Sequence, residues 1–84
     1  MDPQTTLIDL FDAIERRDWE RVRELSDALL GWMERGGFPP EVAGPGTLGK
    51  RWHQTMATFV CHAAVARANE AARRRQKGGT DAAH

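Results

Sequence analysis

The residues closest to nucleophilic or metal-binding chemistry are the neighbours Cys61 and His62, with His53 nine positions earlier. A thiolate activated by an imidazole, or a zinc ion held by both, needs its donors on one side of an element. Consecutive residues of a helix point about 100° apart, and His53 and His62 fall on opposite sides. No His, Cys, Asp or Glu lies three or four positions from another in this segment. The spacing therefore predicts no catalytic residue and no metal ligand. Cys61 is expected as a small core residue, and His62 as a polar edge residue or a hydrogen-bonded core histidine. The carboxylates of the first half, such as Asp9, Asp12, Glu20 and Asp27, fall opposite the apolar positions, where water prevents the desolvation a general acid needs. Ser26 breaks an apolar face and is expected to let a neighbouring helix approach, its hydroxyl bonded to its own backbone. Gly44 to Lys50, GPGTLGK, imitates the composition of a phosphate-binding loop without its spacing or a preceding strand. No cofactor is expected and no enzymatic activity.

The remaining candidate is charge. Arg67, Arg73, Arg74, Arg75 and Lys77 form a basic segment that could contact phosphates or another acidic partner, although no aromatic residue interleaves it and cations near a helix C-terminus also suit the macrodipole. The chain as a whole is neutral, but Met1 to Arg35 holds nine acids and five bases whereas Gly36 to His84 holds three acids and seven bases. Such segregation suits oppositely charged helices that pack on each other, within a chain or between chains.

Helices must carry all of these groups. Thr6 with Asp9 three positions later has capping-box spacing and predicts a first helix that ends near Arg17, with Leu7, Leu10, Phe11 and Ile14 on its apolar stripe. Asp18 reads as the N-cap of a second helix, about Trp19 to Arg35, whose apolar arc holds Trp19, Val22, Leu25, Leu29, Leu30, Trp32 and Met33. Gly36 and Gly37 predict a left-handed stop, Phe38 a hydrophobic contact back onto the last turn, and Pro39 and Pro40 forbid continuation. The segment 36–47, GGFPPEVAGPGT, predicts an ordered crossover pinned by Phe38 and Val42.

A third helix, about Leu48 to Arg75, shows two apolar faces. Leu48, Trp52, Met56, Phe59, Ala63 and Ala66 are expected to join the core of the hairpin. Ala57, Cys61, Ala64, Val65 and Ala68 form a small-residue face expected to pack on a second copy. At 1.5 Å per residue this helix spans about 42 Å against about 26 Å for the second, so part must overhang.

The segment Leu10 to Pro40, with Asp18-Trp19-Glu20 opening its second helix, resembles a single helical hairpin of the tetratricopeptide type, which implies antiparallel packing of the first two helices. The same stretch, ending Ala28-Leu29-Leu30-Gly31-Trp32 and then GGFPP, is similar to short uncharacterised bacterial helical proteins.

The sequence thus predicts one all-α domain over 1–77 with a frayed tail at 78–84: a short helical hairpin packed on a long C-terminal helix. With 84 residues and one cysteine, the chain buries only about 60% of its unfolded surface and has no internal disulfide, so association is the expected aid to stability. The expected role is a non-enzymatic helical protein–protein interaction module that self-associates as a homodimer. The alternative is a small nucleic-acid-associated regulator using the basic segment. The lone thiol and the absence of a secretory leader point to the cytoplasm, and no membrane partner is expected.

Overall fold

The computed structural model describes the backbone of residues 1–82 and the side chains of residues 1–75. It is all-helical: α1 spans Pro3–Arg16, α2 Trp19–Glu34 and α3 Lys50–Ala82, with a short 3-10 turn at Gly46–Leu48. The Lys77 side chain and residues 83–84 lie outside the described residues, while the backbone of 78–82, expected to fray, continues α3. No helix among the described residues is long and apolar enough to cross a membrane.

The start of α1 differs from expectation. Its N-cap is Asp2, whose carboxylate accepts from the Gln4 and Thr5 amides at 3.1 and 3.4 Å and from the Thr5 hydroxyl at 2.7 Å. Pro3 sits at the first helical position, where its fixed φ fits and its missing N–H costs nothing. An Asp-Pro pair thus supplies cap and first residue together, and Thr6 is drawn one turn inside, donating its hydroxyl to the Asp2 carbonyl at 2.9 Å. Hydrogen bonds to the ionised carboxyl hold Asp2 below the usual carboxylate range, that from the Thr5 side chain first.

α1 ends on Arg17 in the left-handed region, φ 58, and the Asp18 amide reaches back to the Ala13 carbonyl at 2.9 Å. Asp18 then caps α2 as expected, accepting from the Arg21 amide at 3.3 Å. At the far end Gly36 takes φ 87, and the Gly37 amide bonds the Trp32 carbonyl at 2.9 Å. This is the Schellman stop the glycines predict, with Gly36 alone in the left-handed conformation.

Phe38 does not fold back: it is exposed, with the Lys50 ammonium 5.2 Å from its ring centre. Its carbonyl does the work instead, accepting from the Trp32 indole at 2.8 Å. The crossover is held from both sides. The Gln4 side-chain amide donates to the Glu41 carbonyl at 3.2 Å and accepts from its amide at 2.9 Å. The Trp52 indole donates to the Ala43 carbonyl at 2.8 Å, and His53 Nε2 lies 3.1 Å from the Pro45 carbonyl. Pro40 is buried and Val42 packs on the core.

α2 is the central helix. α1 and α3 each lie along it, with little backbone contact between themselves, so α3 does not occupy the middle of the bundle as its two apolar faces allowed. The shared core comprises Leu7, Leu10, Ala13, Val22, Leu25, Leu29, Cys61, Ala64 and Ala68. α3 therefore turns its small-residue face inward, and this inverts both expectations for the helix. Ala57, Cys61, Ala64 and Ala68 are 0–2% exposed within the single chain, and Val65 is half-buried beside them, so this row is occupied by the hairpin and cannot also receive a second copy. Leu48, Trp52 and Phe59 are exposed at 50, 43 and 68%; Ala63 and Ala66 are exposed too, and Met56 is half-buried. Volume is the reason. The α2 face already projects Leu25, Leu29 and Met33 into the gap, and at interior packing density only side chains of alanine or cysteine size fit opposite them.

Two outcomes test this arrangement. Ala64→Glu forces a carboxylate into the core and should cost more than about 3 kcal/mol, whereas Ala66→Glu on the outer row should change stability by less than about 0.5 kcal/mol, both read by urea denaturation. A side chain at Gly37 would overlap the Trp32 ring. Gly37→Ala should therefore displace the indole from the Phe38 carbonyl and cost about 1–3 kcal/mol, with a shifted tryptophan emission.

Candidate functional site

The groups with chemical potential are dispersed. Cys61 is fully buried, and desolvation, followed by the nearby Asp27 charge, pushes its thiol up to about 11. A thiol so protonated is neither a nucleophile nor a ready metal ligand. His62 is exposed, which settles it as an edge residue. The buried imidazole is His53, at 4% exposure: its Nε2 donates to the Pro45 carbonyl, leaving Nδ1 without a partner. Ser26 is fully buried, and its Oγ has no hydrogen-bond partner, so the expected bond to its own backbone is not made. Its small size serves the close α2–α3 approach. No group of three or more His, Cys, Asp and Glu side chains among the described residues could hold a metal ion.

The basic segment does not make one face. Arg74 is engaged by Glu70 at 2.7 Å. Arg73 and Arg75 are exposed on either side of it, each turned about 100° from its neighbour. Arg67 instead lines a crevice with Arg17, Trp19 and Glu70 where the α1–α2 turn meets α3.

What the fold does gather is apolar surface. Trp52 and Phe59 stand seven positions apart on α3, with Ala63 and Ala66 continuing the row, so one flank of the helix presents a stripe along about four turns, and Leu48 is exposed in the 3-10 turn ahead of it. Trp52 is the fixed member, its indole N–H tied to Ala43 while much of the ring faces water. A second exposed pair, Ile8 at 60% and Phe11 at 43%, stands on α1. The α1–α2 seam runs along Asp9, Ala13 and Arg16 with Arg21 opposite, so Phe11 lies on the flank of α1 turned away from α2. On α3 the seam with α2 carries Ala68, Ala72 and Arg75 against Glu20 and Arg23, and the Trp52–Phe59 row lies on the other flank. The sequence pattern predicts Phe11 and the outer row of α3 inside, and the structure exposes them. Both large-residue and small-residue rows of α3 repeat at four and three, and periodicity alone cannot choose between them.

The buried thiol gives a measurable pH effect. Burial raises its folded-state pKa from the ordinary thiol value of 9.0 to about 11, so the folded state holds the proton more tightly. The associated stability is complete below about pH 9 and is lost as pH rises through 11. The melting temperature should fall across that window, the Cys61→Ala protein should show a shallower fall, and native Cys61 should resist disulfide exchange at pH 8 until the chain unfolds. No protein-family model, curated protein or solved structure matches this chain.

Proposed function

We propose that this protein is a non-enzymatic helical interaction module whose contact surface is the outer apolar flank of α3. The observation that carries this is the exposure of Trp52 and Phe59 in one row on α3, with Leu48 exposed in the 3-10 turn before it, beside a core that closes without them. Isolated exposed apolar residues are ordinary, but a row of large ones along one helix marks a surface that another molecule covers. Trp52 adds preorganisation, because a tryptophan held by a hydrogen bond to Ala43 loses little freedom when a partner covers it. Aromatic anchors of this kind concentrate binding energy at interfaces. The dispersal of Cys61, His53, His62 and Ser26 favours contact over catalysis. The arginines at 73–75 diverge around their helix, which favours an apolar contact over a phosphate-tracking one.

The test uses Phe59→Glu, because Phe59 is 68% exposed and no recorded hydrogen bond depends on it. The variant should keep the helical signal and change unfolding free energy by less than about 0.5 kcal/mol. Any polypeptide that the purified wild-type protein binds stoichiometrically, itself included, should be lost. A large destabilisation would place Phe59 in the core, and undiminished binding of the partner would move the contact surface elsewhere.

A further inference from the structure

The crevice where the α1–α2 turn meets α3 gathers charge of one sign. Arg67, Glu70, Ala71 and Arg74 recur at helical spacing and share one face of α3, and Arg17 and Trp19 close the opposite side. Ala71 and Trp19 are half-buried, whereas the three arginines are exposed. Arg74 is engaged by Glu70 at 2.7 Å. Arg17 and Arg67 have no carboxylate within salt-bridge distance among the described residues, and the neighbouring Asp18 accepts from the Arg21 amide at 3.3 Å. Three guanidiniums against one carboxylate leave two positive charges around a volume of ≈ 200 Å³. The turn itself does not ask for this. Arg17 takes φ 58, a left-handed C-cap that glycine fills without strain. Gathering like charges also costs the isolated chain free energy, and an anion that the arginines share offsets that cost.

We infer that this crevice binds a small tetrahedral dianion, phosphate or the phosphate group of a small ester, with Arg17 and Arg67 as its principal donors. The planar fork of a guanidinium matches two phosphate oxygens at once, so two unpaired arginines suit one such anion. Size agrees, because pockets for drug-sized ligands occupy about 300–1,000 Å³ and this one is smaller. Glu70 opposes the ligand: it competes for Arg74 and repels an anion beside it. Phe59 lies eight positions before Arg67, so this site and the apolar flank of α3 stand or fall separately.

Phosphate titration of the full chain at fixed ionic strength tests this, followed by the Trp19 indole N–H resonance. The shift should saturate with a dissociation constant on the order of 1 mM, and the melting temperature should rise with phosphate by mass action. Phosphate also stabilises proteins by exclusion from their surfaces, so the variants decide. Arg17→Gly, which keeps the left-handed stop, and Arg67→Gln should each retain the helical signal and weaken binding about tenfold or more. Glu70→Gln should act in the opposite direction and tighten binding about fivefold, the effect of removing one like charge about 4 Å away in water. Glycerol phosphate in a parallel titration separates the sources: tighter binding than inorganic phosphate assigns an ester, weaker binding the free ion. A Trp19 resonance that neither anion moves, or a saturable shift that both arginine substitutions leave intact, overturns the site. Binding that Glu70→Gln leaves unchanged or weakens overturns the charge balance assigned to the crevice. Binding of a short single-stranded oligonucleotide with none of inorganic phosphate overturns the small anion in favour of a strand.

Discussion

The close approach of α2 and α3 governs the rest of the molecule. Leu25, Leu29 and Ser26 of α2 leave room for side chains of one or two heavy atoms beyond the backbone, and Ala57, Cys61, Ala64 and Ala68 meet that limit at the repeat a helix requires. Once that row is inside, the rotation of α3 about its axis is fixed. Trp52 and Phe59 are carried to the surface, His53 is carried under the crossover, and the Cys61 thiol loses the water that would ionise it. The orphaned Ser26 hydroxyl follows from the same packing: a residue small enough for the contact comes with a polar atom, and the surrounding methyl groups offer it no partner.

The crossover obeys a second constraint. A segment with two adjacent prolines and four glycines between 36 and 46 cannot satisfy its backbone by repeating structure, so its carbonyls depend on side chains arriving from the helices. Two of these donors are indoles. Trp32 and Trp52 each present a large apolar body and a single N–H, and the N–H decides their position by meeting Phe38 and Ala43 at 2.8 Å. That is why Trp32, expected within the core arc of α2, is half-buried under the loop, and why Gly37 must lack a side chain.

The parts of the fold legible in the sequence are those decided locally. Asp18 before Trp19 and Gly36 after α2 act through their own backbone neighbours, and both ends are found where those residues predict. The N-terminus of α1 lies one turn before the predicted Thr6 cap, because the Asp2-Pro3 pair, which the capping-box spacing did not consider, supplies cap and first residue. The orientation of α3 was not legible from period. Leu48, Trp52, Met56, Phe59, Ala63 and Ala66 repeat at four and three, and so do Ala57, Cys61, Ala64 and Ala68. Hydrophobicity ranks the first row higher, but burial in a narrow gap is limited by volume, and volume belongs to the pair of helices. The leucines of α2 were the available sign that the partner row must be small.

The volume limit on the α2–α3 gap leaves the aromatic side chains of α3 facing water. A small-residue row buries little area per residue, and in a domain of this size that loss is felt. Keeping Trp52 and Phe59 outside becomes favourable overall when the exposed row is itself covered, because association then recovers the apolar area the core forgoes. The charge segregated along the sequence is not used to join helices. The three ion pairs among the described side chains, Arg16–Asp12, Arg21–Glu24 and Arg74–Glu70, each lie within one helix, where exposed pairs contribute only a few tenths of a kcal/mol. Apolar volume and not charge therefore decides how α3 lies on α2.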